Sequence, residues 1–183
     1  MPNRDEWLKL PLRQRLERMA RMADDIAVAI GGRSDAELSR RPEATSWAAK
    51  EVVCHLRDIE ELVITRFHTM LAMDTPKVLV VGAPLSDPAE WGISGEVPMP
   101  VDADRWAEER QYLRNDASVA LAAFRRRRSE VLAFLRALRP VQWERASIHP
   151  THGRVTFGDW TAGIAAHDDN HLAQLGRALE GRA

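Results

Sequence analysis

Apolar residues recur every three to four positions along four long stretches of this chain, and no stretch shows a convincing strand alternation. That periodicity predicts an all-α fold in which each helix buries one face against the others. The first helix is expected from Pro11 to Ile30, with Leu12, Leu16, Met19, Ala23, Ile26 and Ile30 in line and a glycine pair as its stop. The second runs from near Ser46, a good N-cap hydroxyl, to about Met73. Its inner stripe reads Ala48, Val52, His55, Ile59, Leu62, Arg66 and Met70. The third spans about Asp104 to Leu138, with Trp106, Leu113, Ala117, Leu121, Phe124, Val131, Leu135 and Leu138 in register. The fourth opens at Thr156, which has capping-box spacing to Asp159, and ends near Leu179.

Between the second and third helices lies a long segment, residues 75–103, rich in proline and glycine. Antiparallel neighbours in a bundle need only a few connecting residues. A second helix of about 28 residues is about 42 Å long, and a segment of this size can run back along it. The expected architecture is therefore a four-helix bundle with one long crossover between helices 2 and 3. The apolar piece VLVVGAPL at 78–85 can lie over the bundle, form a short strand or join two copies, and a homodimer is expected from it. With 183 residues, 45% of them hydrophobic, the chain reads as one domain, residues 1–183, with a single core.

A formal net charge of -1 gives no electrostatic case for nucleic acid or an anionic membrane surface as partner. The run of four arginines at 125–128 is the one local exception. A lone cysteine, Cys54, allows neither an intramolecular disulfide nor an all-cysteine metal site. No stretch approaches the roughly 20 apolar residues that span a bilayer. The N-terminus is charged from Arg4 onward and lacks the apolar core of a signal peptide. These features point to a soluble, cytoplasmic protein.

His167 and His171 stand four residues apart on the apolar face of the fourth helix, with Trp160, Ile164, Leu175 and Leu179. His55 lies on the inner stripe of the second. One histidine on an apolar face is ordinarily a satisfied core residue. Three on the inward faces of two helices suppress one another's protonation and must satisfy several buried ring nitrogens. A divalent cation resolves both problems, and three neutral ligands leave a position open for water or substrate. His68 points away from this stripe, and His149 and His152 fall in a loop, where turn chemistry competes with a lid role for His152.

The segments SWAAKEVVCHL, HPTHGRVTFGDW and AAHDDNHLAQL, in that order, resemble the DinB/YfiT-like superfamily of metal-binding four-helix bundles over nearly the whole chain. The resemblance implies a three-histidine site for a divalent metal, zinc or nickel, with ligands falling on His55, His167 and His171. Members with assigned activity include thiol-dependent transferases, and others carry the label of metal-dependent hydrolase. What it implies here is an enzyme that transfers a low-molecular-weight thiol to a small electrophile. The alternatives are a hydrolase of a small-molecule substrate and a metal-dependent binding module without turnover. The chain has no His-Glu-x-x-His arrangement, which disfavours peptide hydrolysis.

Two further residues are candidates for catalysis. Glu51, one turn before His55, either orients an imidazole or is an ordinary first-turn glutamate. Arg128 points inward along the seam of Phe124, Val131 and Leu135, so it either pairs with a carboxylate such as Glu51 or Glu60 or receives an anionic substrate group. Arg66 invites the same two readings, with pairing favoured. Asp168 and Asp169 are expected to face outward or sideways, and Cys54 to be a small core residue. Trp47 and Trp160 read as packing residues or as an aromatic wall.

Overall fold

The computed structural model describes residues 2–92 and 102–183, and its helices follow the apolar stripes closely. Helix α1 (Arg4–Lys9) precedes α2 (Leu12–Ile30), the two being separated by Leu10 and Pro11. A short α3 (Asp35–Ser39) follows, then α4 (Ala49–Ala72), α5 (Ala103–Glu109), α6 (Ala117–Ala137) and α7 (Phe157–Leu179). The bundle consists of α2, α4, α6 and α7, with both α2 and α4 packed against α6 and α7. The long crossover joins α4 to the α5–α6 region, and its residues 93–101 lie outside the described residues.

Two clusters of side chains fill the bundle. Met22, Ile26, Val52, Leu56, Phe124 and Leu175 belong to one. Met19, Val63, Phe67, Val131, Leu135 and Phe157 belong to the other. Burying each such side chain contributes on the order of 1.5–3 kcal/mol, which is why the spacing of apolar residues is so informative about these four helices.

Helix ends depart from the sequence expectation where local hydrogen bonding decides them. Helix α4 begins at Ala49, not at Ser46. The Ala48 N–H donates to Glu51 Oε2 at 2.9 Å, so a carboxylate three residues on caps the helix instead of a serine hydroxyl. Helix α7 starts as expected: Asp159 N–H donates to Thr156 Oγ1 at 3.2 Å, and Thr156 N–H to Asp159 Oδ2 at 2.9 Å.

The expected third helix is two helices. Gln111 adopts a left-handed conformation (φ 49°) and Tyr112–Arg114 form a 3-10 turn. Asp116 then caps α6, accepting from the N–H groups of Ser118 and Val119 at 2.8 and 2.9 Å. The break moves Leu113 out of register, leaving it 37% exposed, and buries Tyr112 instead, whose hydroxyl donates to Asp58 at 2.9 Å.

The helical bundle also carries a small antiparallel hairpin, where no strand was expected. Strand β1 (Ala146–His149) pairs with β2 (Gly153–Thr156) in the register Ala146↔Thr156 to His149↔Gly153. Four-residue strands are too short for a period-two pattern to show. The apolar crossover piece at 78–85 forms no strand, but an isolated bridge just before it ties the crossover to the hairpin. Lys77 bridges in parallel to Ile148, the Val78 N–H donates to Ile148 O at 3.1 Å, and the Ile148 N–H to Pro76 O at 2.9 Å. No helix among the described residues is long and apolar enough to cross a membrane.

Candidate metal centre

Helix α4 presents His55, and α7 presents His167 and His171 one turn apart. One ring nitrogen from each lies within 4.8 Å of the other two. The closest approach is His55 Nε2 to His167 Nε2, 3.4 Å. Ring centroids of the three pairs are 4.3 to 5.5 Å apart. His55 is 3% exposed, and the two histidines of α7 are half-buried.

Burial holds all three imidazoles in the neutral, coordinating form. His55 falls to about 3, chiefly through desolvation and then through the neighbouring His171. His167 is pushed well below the ordinary imidazole range by burial, with His171 and His55 adding to it. His171 is lowered by burial as well. His171 Nδ1 lies 2.7 Å from Gln174 Oε1, an atom that only accepts, so Nδ1 carries the proton and Nε2 keeps its lone pair. The buried Nδ1 of His55 has no hydrogen-bond partner.

A cavity of about 520 Å³ opens on this cluster. Its lining is apolar along Leu56, Ile59, Val63 and Ile164, and Trp47 and Trp160 wall it. Trp47 stacks at 6.4 Å on His171 and lies 4.9 Å from His55, while its Nε1–H donates to Asp104 at 2.9 Å. The tryptophans that the sequence left between packing and an aromatic wall therefore belong to the wall.

Both proposed catalytic candidates are occupied by ion pairs. Glu51 Oε1 and Oε2 accept from Arg41 at 2.5 and 2.8 Å, and Oε2 also caps Ala48, so neither oxygen reaches an imidazole. All five N–H donors of Arg128 are used. Glu60 takes two at 2.9 Å, Asp168 two at 2.6 and 3.0 Å, and Met19 O one at 2.9 Å. Neither residue lines the cavity.

Asp168 corrects an expectation. It does not face outward but is 0% exposed, because the guanidinium of Arg128 waits for it inside the bundle. Asp169 does lie sideways, accepting from Arg18 at 2.6 Å and from the indole N–H of Trp7 at 3.0 Å. The two aspartates between the histidines thus lock α7 from both flanks. Cys54 is a buried core residue whose thiol burial raises to about 11, and His68 is exposed, away from the cluster.

Two cavity residues, His149 and Arg66, matter more than their spacing suggested. His149, buried at the end of β1, accepts at Nδ1 from the N–H groups of Thr151 and His152 at 3.1 and 3.3 Å. Turn chemistry was visible beside Pro150; burial beside Trp160, with ring centroids 5.5 Å apart, was not. Arg66 was expected to be paired, yet no carboxylate among the described residues lies in salt-bridge range of it. Its place on the inner stripe of α4, three turns from His55, was the available signal.

Fold and site together define a four-helix-bundle protein in which three histidines from two helices can hold one metal ion. The chain belongs to the DinB superfamily, whose sequence pattern matches residues 15–175. It is 25% identical over 151 residues to the uncharacterized protein YuaE of Bacillus subtilis, covering 79% of this chain and 84% of that protein. It is 22% identical over 174 residues to "Putative metal-dependent hydrolase OB0413" of Oceanobacillus iheyensis, covering 95% of this chain and 84% of that protein. The solved structure of YfiT from Bacillus subtilis, described as "a probable metal-dependent hydrolase with an unusual four-helix bundle topology", superposes with a TM-score of 0.75. That match has 20% sequence identity and covers 94% of this chain and 89% of YfiT.

Proposed function

We propose that His55, His167 and His171 hold one divalent metal ion, zinc or nickel, and that the chain is an enzyme acting there on a small molecule bound in the adjoining cavity. The observation that carries this is the convergence of three neutral imidazoles from α4 and α7 on a largely apolar cavity. The donors fit: ligand bonds of about 2 Å around a tetrahedral ion place two nitrogens about 3.3 Å apart, close to the 3.4 Å between His55 and His167. Imidazole donors suit both zinc and nickel. When bound, such an ion supplies a nucleophile by lowering the pKa of water or of a thiol.

The chain's own residues then bind, orient and exclude water. Gln174 fixes the tautomer of His171. Leu56, Ile59 and Ile164 keep the adjoining space apolar. The Arg128–Glu60–Asp168 cluster ties α4 and α7 together behind the histidines that those helices present. Hydrolysis of a small substrate is the first reading, supported by the names given to OB0413 and YfiT.

One observation favours thiol transfer as a second reading. The two carboxylates lining the cavity are engaged, Glu60 with Arg128 and Asp159 with the α7 cap, so neither is free as a general base. A thiol ionised by the metal needs none.

Metal analysis of the purified chain after growth with zinc or nickel tests the proposal. About one ion per chain is expected in the parent, and none in His55→Ala, His167→Ala or His171→Ala variants that remain folded. A parent that binds no divalent ion ends the reading. Cobalt substitution separates the two reactions: if no low-molecular-weight thiol shifts the visible spectrum, thiol transfer is dropped.

A further inference from the structure

The cavity also holds a guanidinium that has no counter-ion among the described residues. Arg66 lines the cavity, and its one hydrogen bond among the described residues is from Nη2 to the carbonyl of Leu79 at 2.8 Å. Its Cζ lies 4.3 Å from the centre of the Trp160 ring. Four of its five N–H donors therefore have no partner among the described residues. Arg66 is half-buried, and an inward arginine is ordinarily held by a carboxylate, as the fully buried Arg128 is. Burial alone pulls Arg66 down to about 10, and it still stays cationic at neutral pH.

A second donor packs on the same tryptophan, the ring centroids of His149 and Trp160 lying 5.5 Å apart. His149 accepts two backbone N–H groups at Nδ1, which places its proton on Nε2. That Nε2–H has no partner among the described residues, and the ring is only 8% exposed and lines the same cavity. The indole N–H of Trp160 is spent on Ser147 at 3.0 Å, so the ring offers the ligand a surface and no third donor.

We propose that Arg66 and the Nε2–H of His149, both packed against Trp160 and both lining the cavity, form an anion-binding corner that takes the carboxylate of an elongated small substrate. One guanidinium with one neutral donor matches a monoanion, since a phosphate dianion calls for more positive charge. Arg66 follows His55 by eleven positions, three turns along the same face of α4 and about 16 Å of rise. Its side chain leans back toward His55. Between the two ends run Leu56, Ile59, Val63 and Ile164. The substrate class is thus a carboxylic acid with an apolar spacer that delivers its reacting group to the histidine cluster. That last step rests on the metal reading above, whereas the anion corner does not.

The full chain and its His167→Ala variant are titrated with octanoate and with octanamide by isothermal calorimetry. Octanoate is expected to bind about 10- to 100-fold more tightly than the amide in both proteins. Arg66→Gln is expected to erase that preference while amide binding persists, and Arg66→Lys to retain part of it. Circular dichroism checks the fold of Arg66→Gln, a change that strands no carboxylate. Equal binding of acid and amide overturns the corner, as does a preference that survives in Arg66→Gln. A preference lost only in His167→Ala places the carboxylate on the metal and also overturns it. A preference that depends on Arg66 in a chain that binds no metal keeps the corner and sinks the metalloenzyme.

Discussion

Arg128 and Asp168 are joined by two hydrogen bonds, 2.6 and 3.0 Å long, one residue away from a histidine of the candidate metal centre. The same guanidinium holds Glu60 by two more, each of 2.9 Å, so α6 ties α4 to α7 behind the histidines that those two helices present. Breaking a buried pair from one side leaves the other charge stranded, which costs about 3–5 kcal/mol. Here two carboxylates would be stranded. Arg128→Met is expected to lower the urea midpoint by that amount of stability or to abolish folding. Glu60→Gln combined with Asp168→Asn in the same background should recover part of the loss. A midpoint within about 0.5 kcal/mol of the parent would show that the cluster does not hold the helices together.

Gln174 offers a test that leaves the core untouched. Its Oε1 accepts from His171 Nδ1 at 2.7 Å, which keeps Nε2 deprotonated and aimed. Losing such an orienting partner typically costs about 10- to 100-fold in metal affinity. Gln174→Leu should show that loss in competition with a chelator, with its helical circular dichroism unchanged. Unaltered affinity would mean that the ring is oriented by packing against Trp47 alone.

The buried imidazoles set the acid side of the stability profile. His55 and His149 titrate near 3 and 4 in the folded chain, and His167 and His171 are lowered too, chiefly because burial disfavours the charged ring. Unfolded imidazoles take up protons near 6.5, so below that pH the unfolded chain binds more protons and stability falls. The contribution is present above 6.5 and is lost as the pH drops toward the folded values. Chelator-treated protein, unfolded in urea at successive pH values, should lose stability steadily between pH 6.5 and about 4.5, a window above most carboxylate titration. His149→Gln should shallow that slope. A flat profile across the window would contradict the burial of these rings.

The four long helices were legible because burial repeats with the helical period. Met22, Ile26, Phe124 and Leu175 declare their faces by spacing alone. Trp106 and Leu113 hid the break in the third helix by continuing the apolar rhythm across it, and only the Asp116 cap says otherwise. The histidine pair on α7 was visible from its four-residue spacing, and His55 from its stripe. Partner identity was not legible. Whether an inward arginine meets a carboxylate, as Arg128 does, or a carbonyl and an indole, as Arg66 does, depends on which residues distant in sequence arrive beside it. The hairpin was invisible because each of its strands is only four residues long, and its bridge to Lys77 is a long-range event.

Gly153 carries that hairpin and, through it, one wall of the cavity. Its φ of +64° lies in the left-handed region, and an added Cβ would meet nothing within 4 Å. Any cost of Gly153→Ala is therefore backbone strain with no packing component, about 1 kcal/mol for a non-glycine residue held there. Asparagine tolerates the left-handed region better than alanine, so Gly153→Asn should cost less than Gly153→Ala in the same urea titration. The turn it closes also supplies the N–H groups of Thr151 and His152 that fix the proton of His149 on Nε2. If the strained turn relaxes by giving up those bonds, Gly153→Ala should weaken octanoate binding while leaving metal content unchanged. Equal stability of the alanine, asparagine and parent proteins would show that the turn reaches its closure without the left-handed residue.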